Sequence, residues 1–390
     1  MFFGPAAPNR HGARRSVTFT PNSEPAAAGS GHRVASRPDT RAEEKGVYMT
    51  GISRRRFLAS ASATTVALTG GFQPRSHAQA VLSFRISSSL AADENSAHYI
   101  WYQRFATNVK SALGQRVTLG FFPNSQLGKE ADVVQQVKVG SIDMMITGSS
   151  IWATVAPEFG MLDLGYMFDS NAHAARALDG GVGAQLAKIL NDRTGCTVLG
   201  WAAHFGPRSV YTKTPVNALA EIKGVKLRVL PTPAFIETFR LMGATPTPIP
   251  FNELYTAVQT GVVDGFEHDA ATVLASKLYE VTRYCWLTEH LFSPMIAVIG
   301  KRGLDKMPSD IRPAVLQAAT EATQFERGQA TAKGKAAVEE LKRQGIVFHP
   351  MAKAERDSVR NTMQTQLWAA FAIQYPVTKP LFDAISAARE

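Results

Sequence analysis

His268 and Asp269 stand side by side in Gly265-Phe266-Glu267-His268-Asp269, an imidazole beside a carboxylate of the kind that shuttles protons. An acid/base pair does chemistry only with a nucleophile or a labile proton within hydrogen-bond reach. The chain has no nucleophile-elbow G-x-S-x-G, no P-loop, no H-E-x-x-H and no dinucleotide fingerprint, so no enzyme and no cofactor is expected. Cys196 and Cys285 are the two cysteines, too few for a disulfide scaffold and too far apart for a metal motif. No metal is expected, and the two thiols read as separate small buried side chains. What remains are groups that can hold a ligand without altering it. Glu94 and Asn95, in the loop Ala91-Ala92-Asp93-Glu94-Asn95-Ser96, and Ser149 and Ser150, in Thr147-Gly148-Ser149-Ser150, each follow a strand-like run. Such positions suit the hydroxyls of a ligand, and suit helix caps and turns equally well.

The elements that would position them alternate. Val81-Leu82-Ser83-Phe84-Arg85-Ile86 is strand-like, Ala97 to Leu113 carries apolar residues at helical spacing, and Arg116 to Phe122 is again a strand. Glu130 to Gly140 reads as a helix stopped by glycine, and Ile142 to Ile146 as a buried strand. A β-α-β-α-β order predicts parallel strands whose C-terminal ends line one edge, the edge where open α/β sheets bind ligands. A second series follows, with strands at Thr197–Trp201, Ser209–Tyr211 and Gly224–Leu230 and helices at Pro233–Met242, Glu253–Thr260 and Ala270–Leu278. Asp310 to Gln344 keeps helical periodicity with no proline after Pro313, long enough to brace two lobes. With 390 residues, two lobes are expected, because single cores stop growing near roughly 250 residues.

Net charge is +10, but residues 1–80 carry 11 Lys/Arg against 4 Asp/Glu, so +7 lies there and +3 is left for the rest. The electrostatic argument for a nucleic-acid partner therefore fails. Within that N-terminal stretch, Ser53-Arg54-Arg55-Arg56-Phe57-Leu58 precedes the weakly apolar Ala59 to Leu68 and then Ala78-Gln79-Ala80. The order of paired arginines, short apolar run and small-residue site is that of a twin-arginine export signal cut after Ala80. Such a signal starts close to a chain's beginning, so Met49 is the expected start. Residues 1–48 are expected to be untranslated or disordered, residues 49–80 to be the signal peptide, and the mature protein to be periplasmic.

Six blocks then stand in order: Asn124-Ser125-Gln126-Leu127-Gly128-Lys129-Glu130, Val139-Gly140-Ser141-Ile142-Asp143-Met144, Leu162 to Phe168, Gly224-Val225-Lys226-Leu227-Arg228-Val229, Thr260 to Glu267, and Leu287-Thr288-Glu289-His290. In these the chain resembles the solute-binding proteins of tripartite ATP-independent periplasmic (TRAP) transporters over nearly all of residues 81–390. The resemblance implies an α/β, two-lobed periplasmic binding protein fold of the Venus-flytrap type, with crossing segments. Residues 81–205 plus 294–333 would form one lobe, and 206–293 plus 334–390 the other. It also implies capture of a small organic acid, such as a sugar acid or hydroxy acid, and delivery to the membrane subunits of the transporter. A sensory module for an organic acid is the alternative use of the same fold. A monomer is expected.

By the same resemblance Arg228 matches the family arginine that binds the ligand carboxylate. Its planar guanidinium offers two parallel donors to a carboxylate and stays charged at working pH. Arg208 aligns with a second arginine near that carboxylate, and Phe251 with an aromatic that packs on the ligand. The chain departs from the family at His268-Asp269, where many relatives have Asn-Pro. Here a His and an Asp would meet ligand hydroxyls and Asp269 would repel a second ligand charge, or Asp269 would simply cap the following helix.

Overall fold

The computed structural model describes residues 81–389. The expectations for residues 1–48 and for the export signal at 49–80 lie outside the described residues. Among those described, eleven strands form two sheets. The first, in the order β2-β1-β3-β10-β4, is built from β1 (Leu82–Ser88), β2 (Val117–Phe122), β3 (Met144–Gly148), β4 (Thr197–Ala203) and β10 (Pro294–Ile299). The predicted parallel core is present, with β1 pairing parallel to β2 and β3, while β10 runs antiparallel between β3 and β4. The second sheet runs β11-β9-β5-β8-β6-β7, from β5 (Arg208–Thr212), β6 (Lys226–Val229), β7 (Thr245–Pro248), β8 (Gly265–Asp269), β9 (Tyr284–Leu291) and β11 (Val347–Pro350). The fold is thus α/β and two-lobed.

Local chemistry explains where the elements stop. The helix Ala97–Leu113 starts on Ser96, whose hydroxyl accepts from the Tyr99 N–H. Glu130–Val139 ends at Gly140 in the left-handed region (φ 79°). Ser141 and Ile142 still donate their N–H groups to the Gln136 carbonyl, which is why β3 begins at Met144 and not at Ile142. The helix expected from Ala270 to Leu278 closes at Ala275, because Lys277 takes a positive φ of 54° and a short 3₁₀ turn follows. Cys196 and Cys285 are both free and buried.

Three connections pass between the sheets: His204-Phe205-Gly206-Pro207 from β4 to β5, Phe292-Ser293 from β9 to β10, and the helix Arg312–Arg343 leading to β11. That helix has 32 residues and is about 48 Å long. It packs on the Ala97–Leu113 helix and β4 on one side and on the Ala270–Ala275 helix on the other, so it braces both sheets. Its buried stripe is made of small residues, Ala319, Ala322, Ala330, Gly334 and Ala337 among them, and the reason is close approach. A Cβ on Gly334 would come within 2.6 Å of the Phe205 carbonyl oxygen, so the crossing segment can lie directly on the helix backbone only over glycine.

Glu326 is the exception in that stripe. Its carboxylate is fully buried and accepts the Ala203 N–H at 3.0 Å, while its other oxygen has no partner. Burial lifts this carboxyl to about 8 from its ordinary value of 4.5. Between those two values the folded chain holds a proton that the unfolded chain has lost. The stability this gives is full below pH 4.5 and gone once the pH passes 8. Glu326→Gln should remove that decline, melting about 6–10 °C above the wild type at pH 8.5 and close to it at pH 5 in thermal melts followed by circular dichroism.

Candidate functional site

The two sheets meet around a narrow cavity. One side of this cavity comes from chain that leaves the first sheet: Ser89 and Leu90 after β1, His98 and Glu130 in first helical turns, Gly148 and Ser150 at the end of β3, and His204 after β4. The other comes from the second sheet: Arg208 where β5 opens, Leu230 after β6, Phe251, and His268 near the end of β8, with Ser293 from a crossing segment. The parallel strands present their C-terminal ends here, as the β-α-β reading requires. His98, Ser150, His204, Arg208 and His268 are all buried, so a solute reaches the space only if the two sides part.

Arg228, in β6, is fully buried. Its Nε donates to the Ile249 carbonyl at 2.7 Å, and its two terminal nitrogens are buried with no partner in the protein. The guanidinium carbon lies 5.8 Å from the centre of the Phe251 ring, which lines the cavity. Burial lowers this guanidinium to about 10, with no bonded carboxylate to hold it up, and it stays charged near neutral pH. A buried cation with two unused donors, beside a cavity wall, is half of a carboxylate clamp.

Arg208 lines the cavity, but most of its guanidinium is bonded within the protein. Its Nε and one terminal nitrogen grip Glu267 in a fork at 2.6 and 2.7 Å. Burial alone would raise the Glu267 carboxyl, but the Arg208 charge outweighs it and holds the group down at about 2. The remaining terminal nitrogen of Arg208 faces His268 Nε2 at 3.5 Å. Asp269 takes the capping alternative: it is buried behind the wall, and its oxygens accept from the Thr272 N–H and hydroxyl, both at 2.9 Å, capping the helix that starts at Ala270. Its Oδ2 lies 2.8 Å from His268 Nδ1, a contact that needs the proton on Nδ1, whereas the Asp269 N–H lies 3.0 Å from the same atom and needs a lone pair there. The carboxylate contact is shorter and charge-assisted, and Arg208 can only donate toward Nε2. We therefore assign the proton to Nδ1, which leaves the His268 Nε2 lone pair turned toward Arg208. Burial, then Arg208, keeps the ring neutral by lowering its pKa.

Three of the loop candidates do not line the cavity. Glu94 is exposed and contributes its main-chain carbonyl to Lys333 at 2.8 Å. Asn95 folds back on Asp93, giving its backbone and side-chain N–H groups to Oδ1 at 2.8 and 3.1 Å. Ser149 is buried but spent on Asp163 at 3.2 Å, a carboxyl that burial raises to about 7. Ser150 and Phe251 do line it. Several lining residues were not singled out as candidates in the sequence, among them His98, His204 and Glu130. Glu130 Oε1 accepts from Ser89 and Thr147 hydroxyls, both at 2.9 Å. The signal was available, since His98 and Glu130 sit in the helical turn that follows a parallel strand.

A model of the bacterial extracellular solute-binding protein family 7 matches residues 88–374. The chain belongs to that family. It is 28% identical over 308 residues to the 2,3-diketo-L-gulonate-binding periplasmic protein of Escherichia coli, covering 77% of this chain and 93% of that protein. An uncharacterised protein of Haemophilus influenzae is 34% identical over 230 residues, 59% of this chain and 70% of that one. Among solved structures, the sugar acid binding protein of Advenella mimigardefordensis in complex with galactonate superposes with a TM-score of 0.75 at 27% identity, covering 79% of this chain and 99% of that one. A TRAP periplasmic solute binding protein of Chromohalobacter salexigens with bound D-glucuronate gives 0.73 at 25%, covering 78% and 100%. The TRAP resemblance of the sequence blocks is thereby confirmed, and the family is one of solute-binding proteins, not enzymes. Among the described residues, no helix is long and apolar enough to cross a membrane and no group of His, Cys, Asp and Glu is arranged to hold a metal ion.

Proposed function

We propose that this family 7 protein works in the periplasm, reached through the twin-arginine signal at residues 49–80, and carries a sugar acid to TRAP membrane subunits. The lobe of residues 81–205 and 294–333 and the lobe of 206–293 and 334–390 close on the ligand. Arg228 clamps its carboxylate, Phe251 packs on its carbon chain, and His268, Ser150 and the free nitrogen of Arg208 meet its hydroxyls. The single observation that carries this reading is the buried Arg228 guanidinium with two unpaired terminal nitrogens beside the cavity. Such donors cost stability until an anion fills them. Closure follows from burial of the lining side chains, and Lys129, beside Glu130, and Glu253, two residues from Phe251 on the opposite side, already pair at 2.6 Å. That exposed pair contributes little on its own, so differential binding of the ligand to the closed state must drive the motion.

Thermal unfolding of the purified protein against aldonates, uronates, hydroxy acids and dicarboxylates checks the reading. A sugar acid at 100 times its Kd should raise the melting temperature by about 5 °C, since binding to the folded state alone contributes roughly 2.7 kcal/mol. A panel in which no acid shifts the transition but a neutral sugar or an amino acid does would overturn it.

A further inference from the structure

Three imidazoles stand in a row across the cavity, His98 and His204 from the first-sheet side and His268 from the second. The ring centres of His98 and His204 are 5.6 Å apart, those of His204 and His268 6.1 Å, and His268 meets the edge of Phe251 at 5.6 Å. The His98 and His268 rings are each held at Nδ1, and His98 and His204 each carry a buried nitrogen without a partner. His98 Nδ1 is 2.9 Å from the Ser88 hydroxyl while its Nε2 is buried without a partner. His204 Nδ1 is likewise buried without a partner, 3.8 Å from Asp269 Oδ2. His268 is held through Nδ1 by Asp269, and its Nε2 has only the 3.5 Å contact with Arg208. Packing of the protein alone leaves one buried nitrogen of His98 and one of His204 without a partner, a cost that a hydrogen-bonding ligand removes.

We infer that His98 and His204, together with His268, form a hydroxyl-reading track that makes the site selective for the polyhydroxy chain of a singly charged acid. This rests on the sugar-acid reading above and goes beyond it, in assigning specificity to residues that play no part in carboxylate capture. The chemistry is directional. A neutral imidazole nitrogen is either a donor or an acceptor according to tautomer, and a hydroxyl can answer both. A second carboxylate could be met only by N–H, and an ammonium only by a lone pair. Burial, opposed only in part by Asp269 nearby, lowers His204 to about 3, and burial with the neighbouring imidazoles lowers His98 well below its ordinary value, so the track carries no charge near neutral pH. Asp269 behind it and Glu130, on the same side as His98, are both acidic side chains, and they disfavour a ligand whose far end is also an anion.

Calorimetric titration of the wild type, His98→Phe and His204→Phe with D-galactonate and with the shorter D-erythronate tests the inference, alongside melting of each unliganded protein. A ring of similar size that lacks nitrogens should leave the unliganded melting temperature of His204→Phe equal or raised. Both variants should weaken D-galactonate about 10- to 100-fold, and weaken D-erythronate less because fewer hydroxyls reach the track. Affinities for D-galactonate within about threefold of wild type in both variants, or equal losses for the two aldonates, would overturn the track and leave the carboxylate clamp standing. A wild type that binds neither aldonate overturns the track together with the sugar-acid reading on which it rests.

Discussion

Arg228→Ala should weaken binding of the sugar acid that most raises the melting temperature by at least about 100-fold at pH 7, measured by calorimetric titration. The size follows from what the ligand meets. A carboxylate entering the closed site leaves water, and only a charge-assisted, two-pronged contact returns what that desolvation costs; truncating one partner of such a pair typically costs about 2–5 kcal/mol. Arg228→Lys should not rescue binding. A lysine has neither the planar fork nor the third nitrogen that Arg228 spends on the Ile249 carbonyl at 2.7 Å. The unliganded protein supplies the control. Because both terminal nitrogens are buried and unpaired, exchanging the guanidinium for an apolar chain in Arg228→Met should leave the melting temperature of the empty protein unchanged or raise it. Binding at wild-type strength in Arg228→Ala would remove the clamp from the site altogether.

How far this site could be read from sequence depends on the range of the interactions that make each part. Arg228 was legible because a strand with Gly224 before it and a matching block around it puts one residue type in one place. The helices at Ala97–Leu113 and Pro233–Met242 were legible to the residue, since a cap, a glycine or a proline in the chain itself ends them. Glu94 and Asn95 were misplaced because the loop rule says only that strand ends face the ligand. It does not say which way a six-residue loop turns, and here Asp93 folds the loop onto itself and leaves Glu94 at the surface. His98 and His204 were passed over for a different reason. His98 reads as one polar residue on an apolar helix face, and His204 as a residue in a short connection. Only the fold brings them together with His268, which is 170 residues beyond His98 in the numbering. Arg208 was recognised as an arginine of the site, but Glu267, which takes two of its three nitrogens, was seen only as part of a block. Paired charges across neighbouring antiparallel strands depend on register, and the register of β5 against β8 places Arg208 opposite Asp269 and two residues from Glu267.

That pair carries the second large effect. Glu267→Ala should lower stability by about 3–5 kcal/mol, roughly 6–10 °C in melting temperature, because it leaves the Arg208 guanidinium buried at 2% exposure with its fork empty. Replacing both residues with apolar ones of similar volume, Arg208→Met with Glu267→Leu, should recover most of the loss, since the cost lies in the stranded charge and not in the absence of the bridge. The acid limb of the stability curve gives an independent reading. Glu267 has an ordinary value of 4.5 and a folded value of about 2, so the stability it contributes is present above 4.5 and is lost as the pH falls toward 2. Chemical denaturation across that window should show a shallower acid decline in the double variant than in the wild type. His290 Nε2 lies 3.4 Å from Glu267 Oε2, the oxygen that Arg208 Nε also holds, and burial lowers the pKa of that imidazole. If Glu267→Ala instead melts with the wild type, the Arg208 guanidinium has found water or another partner, and the rigid seat that the pair gives to the free nitrogen facing His268 is not what orders this wall of the cavity.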